Sequence, residues 1–143
     1  MALFQFRAVT DRRPEDVVAF FADMTNASSW DPSISKVVRL GEGAVEEGSS
    51  FRVSLGFVGR TLNLDYRIVA FEPKSLVVLR AESRLFLSED TIRVGEANGR
   101  TTVDYEAQLA GQGALRIMDP LFGLTIRHFG KNAGAQLRSG YLA

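Results

Sequence analysis

The spacing of apolar residues changes period twice along the chain. Leu3, Phe4, Phe6, Ala8 and Val9 give a largely alternating opening, the pattern of a strand that ends at Thr10-Asp11. Pro14 then suits a first helical turn, with Glu15 and Asp16 at the positive end of the helix dipole. Val17, Val18, Phe20, Phe21 and Met24 continue it at helical spacing, and Asn26, Ser28 and Ser29 break it before Trp30.

From Ile34 the period becomes two. The strands expected are Ile34 to Leu40, Ser50 to Val58, Arg60 to Phe71, Leu76 to Ser83, Phe86 to Val94 and Thr101 to Leu109. GEGAVEEG, Gly59, EPKS, a short crossing near Arg84, and GEANG separate them, each with turn chemistry, which predicts an antiparallel meander. After Gly111-Gln112-Gly113 the helical period returns. Met118, Phe122, Thr125, Phe129, Ala133, Gln136 and Leu137 form one stripe, with Arg116, Arg127, Lys131 and Arg138 on the other side. Asp119-Pro120 marks the start of this helix or a kink in it. No repeat or linker interrupts the pattern, so residues 1–143 are expected to form a single domain.

Composition narrows the function classes. Hydrophobic residues make up 45% and charged residues 24%, ordinary values for a folded chain. A domain of this length buries about 68 to 70% of its unfolded surface. Lys plus Arg and Asp plus Glu each total 17, giving zero net charge and no basic footprint for nucleic acid. The same neutrality lowers colloidal repulsion and leaves room for a homodimer. With no cysteine and one histidine, thiol chemistry and Cys- or multi-His metal sites are excluded, and no cofactor motif is present. No apolar run approaches the ~18 residues of a membrane span, nor does the N-terminus read as a signal peptide, so a cytoplasmic protein is expected.

Several short motifs add a resemblance. Pro14, Val17, Asp23, Trp30 and Pro32 follow the order seen around the first helix of the START-like (SRPBCC) superfamily, in its polyketide cyclase/dehydrase and lipid-transport branch. Phe71-Glu72-Pro73 with Leu76 looks like that branch's Glu-x-Pro hairpin, and Gly99-Arg100-Thr101-Thr102-Val103 like its Gly-x-Thr approach to the last strand. Val18 departs from the pattern, since many relatives carry an aromatic there. The resemblance covers essentially the whole chain. It implies an α+β helix-grip fold, a curved antiparallel sheet of about seven strands wrapped around a long C-terminal helix, with short helices after the first strand. It also implies an apolar cavity between sheet and helix for a lipid, polyketide or similar molecule. It carries over no catalytic set, and fold by itself is not function.

The residues then indicate where such a molecule would sit. Alternation places Phe51, Val53, Leu55 and Phe57 on one face, with Leu62, Leu64, Tyr66 and Ile68, then Val77, Leu79 and Ala81, and Val103, Tyr105, Ala107 and Leu109. The expected ligand-binding set is Trp30, Phe51, Val53, Leu55, Phe57, Leu64, Tyr66, Leu79, Tyr105, Phe122 and Phe129. Trp30 has two readings, a plug at the end of the core or a wall of the cavity mouth, with Asp31-Pro32 as a turn. Tyr66 and Tyr105 each bury a ring and offer a phenol, for packing or for ligand contact. His128, at the boundary of the closing helix's apolar stripe, is a packing or surface residue or else a general base. Tyr66, Tyr105 and His128 are therefore the candidate catalytic groups. Asp90 is ambiguous, because a slip of one residue moves it to the other face. GEGAVEEG lacks the following helix that a phosphate loop needs.

Three functions follow in order: a carrier of a hydrophobic small molecule, a polyketide cyclase or dehydratase using the same cavity, and a protein-interaction domain. The last would need a large exposed apolar patch, which the pattern does not contain.

Overall fold

The computed structural model describes residues 2–57 and 59–143, and only the backbone of Phe57, Met118, Asp119, Leu121, Phe122, Thr125 and Phe129. Strand β1 (Ala2–Thr10) leads into helix α1 (Pro14–Ala22) and a 3-10 helix over Met24–Ser29. Six strands follow: β2 (Ile34–Leu40), β3 (Ser50–Phe57), β4 (Arg60–Glu72), β5 (Leu76–Glu82), β6 (Phe86–Ala97) and β7 (Arg100–Gly111). A second 3-10 helix over Gly113–Met118 precedes the long helix α2 (Asp119–Ser139).

All seven strands form one antiparallel sheet in the order β1-β7-β6-β5-β4-β3-β2. Consecutive strands from β2 to β7 pair as the meander requires, and β1 closes onto β7. Between β6 and β7 the hairpin turns at Asn98-Gly99, with φ of 54° and 75°. Two successive left-handed residues suit Asn-Gly and almost nothing else.

The segment after β1 differs from the expected single helix in one respect. The α-helix ends at Ala22, and Met24 belongs to the 3-10 helix that occupies the expected break. Asp23 explains the change: its backbone is extended, and its carboxylate accepts the Thr25 N–H at 3.1 Å, capping a new turn. At the other end Asp119-Pro120 opens α2, where a proline fits the first turn.

The two faces of the sheet have different roles. Outward pairs are ionic and directly opposite in register: Arg7 with Asp104, Arg52 with Asp65, Arg80 with Glu89. Such exposed pairs each contribute little to stability, but they disfavour a slipped register. The inner face holds Phe51, Val53, Ile68, Val77, Leu79, Ile92 and Val103, all buried. Val17, Val18 and Phe21 of α1 pack into the same core, over β5 and β6.

Helix α2 lies instead across β1 and β7. It does so because two of its residues have no side chain. A Cβ placed on Gly130 would stand 2.5 Å from Cγ of Phe4, and one on Gly134 2.7 Å from Cδ2 of Phe6. One turn beyond Gly134, the Arg138 guanidinium sits 4.6 Å from the centre of the Phe6 ring and donates to the Arg7 carbonyl at 2.9 Å. Past the helix, the Tyr141 ring stacks on Phe20 at 3.6 Å, with the Arg12 guanidinium 4.0 Å from the centre of the Tyr141 ring. Its hydroxyl donates to the Asp16 carbonyl at 3.0 Å, tying the C-terminus to α1.

Gly134→Ala should therefore cost about 1 to 2 kcal/mol, overpacking against Phe6 outweighing the gain in helix propensity. Gly123→Ala, whose Cβ would meet nothing within 4 Å, should stabilise by about 0.5 to 1 kcal/mol. Urea unfolding of the two variants measures both; equal signs would show that α2 is not seated on its glycines.

Candidate functional site

Where the inner face of the sheet diverges from α2, a cavity of about 130 Å³ remains. Its floor is Leu62, Leu64 and Tyr66 of β4, Ser88 and Asp90 of β6, and Tyr105, Ala107 and Leu109 of β7. Phe4 and Phe6 close one side, Ala133 and Leu137 of α2 the top, and Trp30, Asp31 and Ser33 the end nearest the first 3-10 helix. A second pocket of about 60 Å³ adjoins it. Trp30, Asp31, Ser33, Leu55, Tyr66, Asp90 and Tyr105 line both and form the partition between them.

Strand register assembles the polar part of that partition. Tyr66 lies opposite Ala81, and Ala81 opposite Ser88. The small Ala81 lets the phenol reach across a whole strand, and Tyr66 OH meets Ser88 Oγ at 2.6 Å. On β6 and β7, Asp90 faces Ala107 while Tyr105 faces Ile92, one diagonal step away. Tyr105 OH donates to Asp90 Oδ2 at 2.5 Å. Asp31, in the loop before β2, accepts the Ser33 N–H at 2.9 Å and the Ser33 hydroxyl at 2.6 Å, both on Oδ1.

This environment holds protons tightly. Burial pushes Asp90 up to about 7, the Tyr105 hydrogen bond opposing it and the negative charges of Asp31 and Glu89 adding to it. Asp31 is raised by burial as well, against its two bonds from Ser33. Tyr66 and Tyr105 move upward too, chiefly by burial and then by the charge of Asp90, so both phenols keep their protons. Asp90 thus changes charge near neutral pH.

The residues expected from alternation divide between cavity and core. Trp30, Leu55, Leu64, Tyr66 and Tyr105 line the larger cavity. Val53 and Leu79 line only the smaller pocket. Phe51 lines neither: opposite both Arg39 and Tyr66 in the register, it is fully buried and belongs to the packed core. The side chains of Phe57, Phe122 and Phe129 lie outside the described residues. His128 is exposed on α2 and does not line the cavity, because its position falls beyond the row of Ile126, Gly130, Ala133 and Leu137 that faces the sheet. Trp30 packs edge-on against Phe21 and Tyr105, each at 5.8 Å, and lines both pockets as well.

Asp31 was readable only as a turn residue, and nothing local marks its carboxylate as facing a cavity. Asp90 left a trace. Glu89 and Arg93 flank it at odd positions, while Ile92 and Val94 share its even parity and are buried. That parity carries through the strand and turns Asp90 inward.

On the outer face a groove of about 540 Å³ crosses β1, β7 and β6, but its walls are charged side chains such as Arg7 and Asp104, already paired with each other. Among the described residues no group of three acidic, His or Cys side chains is placed to hold a metal, and no helix is long and apolar enough to cross a membrane.

Residues 1–138 match the family described as polyketide cyclase / dehydrase and lipid transport. No curated protein matches the chain at a significant level. Among solved structures, the KanY protein shares the fold with a TM-score of 0.72 at 15% identity, covering 96% of this chain and 95% of that one. The di-domain ARO/CYC protein BexL aligns at 0.71 and 14% identity over 99% of this chain and 46% of its own length. A START superfamily protein from Mycobacterium smegmatis aligns at 0.69 and 12% identity, over 97% and 99%. At these identities the likeness is one of fold.

Asp90 also sets a pH dependence. Its carboxyl keeps a proton in the folded state up to about 7 but loses it near 3.8 when unfolded, so stability falls as pH rises through that window. Asp90→Asn should remove this slope and leave the variant more stable than the parent at about pH 8, by at most roughly 4 kcal/mol. Urea unfolding across the window measures the difference; parallel profiles would place Asp90 in water.

Proposed function

The chain belongs to the polyketide cyclase/dehydrase and lipid transport family, and from that premise we propose that it binds a hydrophobic small molecule between the sheet and α2. The observation that carries this reading is the apolar cavity of about 130 Å³ left open in an otherwise tightly packed interior. An engineered apolar cavity of about 150 Å³ is enough to take up benzene. A ring-sized portion of a lipid or polyketide therefore fits as the walls stand, and a longer guest must widen them. The polar partition holds one end of the guest while the apolar walls remove the rest from water.

A second reading, cyclase or dehydratase, is favoured by the Asp90–Tyr105 pair. In its ionised form Asp90, held by the Tyr105 hydroxyl, can take a proton on its open oxygen from an activated carbon of the bound chain, and the spare hydroxyl proton of the Tyr66–Ser88 pair can be donated toward a carbonyl oxygen. Positioning of a folded substrate supplies the remainder, and such orientation is worth about 7 to 11 kcal/mol in favourable cases. Of the three candidate groups read from the sequence, Tyr66 and Tyr105 belong to this arrangement and His128 does not.

Native mass spectrometry of the purified protein, before and after denaturation, tests the first reading. An added mass that leaves on denaturation is the expected result. An unliganded mass, together with no thermal stabilisation by saturating toluene, would count against a binding cavity. If a molecule is recovered, its turnover by the parent but not by Asp90→Asn would favour the enzyme.

A further inference from the structure

The donors and acceptors at the partition do not balance. Asp31 Oδ2 and Asp90 Oδ1 accept no hydrogen bond from the described residues, while their partner oxygens are engaged by Ser33 and Tyr105. The Tyr105 hydroxyl proton is already committed to Asp90, and that of Ser33 to Asp31. Tyr66 and Ser88 hold two protons between them and use one in their mutual bond. Once Asp90 has lost its proton, above about pH 7, the cavity therefore faces its occupant with two open carboxylate oxygens and several hydroxyl lone pairs. Against them stand one spare hydroxyl proton and the indole N–H of Trp30, which bonds to none of the described residues.

Charge tilts the same way. Asp31 and Asp90 lie close enough for the charge of one to disfavour ionisation of the other. No Lys, Arg or His lines either pocket among the described residues. With Asp90 ionised, a carboxylate guest would put a third negative group beside two, in a low-dielectric wall where like charges repel strongly. A guest with a protonated nitrogen would instead supply the missing donors and the missing positive charge together.

We propose that this end of the cavity selects small apolar amines, ring-sized in their apolar part, over neutral molecules of the same shape and most strongly over carboxylic acids. This rests on the cavity being a binding site, as proposed above, and deepens that reading by naming the head group. Ring size follows from the cavity volume, and the amine from the open oxygens of Asp31 and Asp90. The guest's body lies among Phe4, Leu62 and Leu109, with its nitrogen between the two carboxylates.

Benzylamine, benzyl alcohol and benzoate share one ring and differ in the head. Trp30 is the chain's only tryptophan and lines the cavity, so its single indole N–H signal in NMR titration reports occupancy. At about pH 8, with Asp90 ionised, benzylamine should bind at least about tenfold more tightly than benzoate, and benzyl alcohol should fall between them. In Asp31→Asn/Asp90→Asn the amine should lose its advantage, to within about twofold of the alcohol. The parent ranking stands as a test even if that variant does not fold. Binding of the alcohol with no preference for amine over benzoate would overturn the inference and leave the apolar cavity standing. If none of the three moves the Trp30 signal, the cavity does not admit a ring-sized guest, and both readings fall.

Discussion

Contact between α2 and the rings of Phe4 and Phe6 is the constraint on which the site depends. A helix can lie on two phenylalanine rings only where it presents no side chain to them, and Gly130 and Gly134 are spaced one turn apart to do this. That seat draws α2 toward β1 and β7 at one edge of the sheet. The inner faces of β3 and β4 are then left with Leu55, Leu62 and Leu64 looking across open space toward the helix. The cavity is the consequence of a helix held close on one side and not the other. Arg138 over Phe6 and Tyr141 against Phe20 keep the helix from sliding along its axis.

Within that space the protein does something its stability alone would oppose. Hydrocarbon walls disfavour charge, yet Asp31 and Asp90 are placed together among them, and burial raises both. Each carboxylate keeps one oxygen bonded to a neighbouring hydroxyl and one open to the cavity. Tyr105 is central, since it bonds Asp90, packs on Phe21 and Trp30, and lines both pockets. A sheet is a suitable support for such a group. Its register fixes which strands bring the hydroxyls and carboxylates within reach, and a small residue such as Ala81 clears the path of a longer one.

Much of the architecture was legible in the chain. The change from period two to helical spacing located every strand and both α-helices, because one buried face imposes its periodicity on the residues themselves. Glycine and Asn-Gly turns marked the hairpins for steric reasons that act locally. Parity placed Leu64, Tyr66 and Tyr105 inward, as the structure has them. The Met24–Ser29 turn was less legible, since it depends on one Asp23 side chain choosing a backbone N–H two residues ahead.

Local pattern determined which residues face inward, because that is a property of each strand taken alone. It did not determine which inward residues pack and which border a void. Phe51 and Leu55 share a face and a strand, yet one is sealed in the core and the other lines the cavity. Only the position of α2, set by two glycines meeting rings more than a hundred residues away in the chain, decides between them. The meeting of Asp31 with Asp90 and Tyr105 is likewise a matter of strand order and helix placement, which no spacing along the sequence encodes.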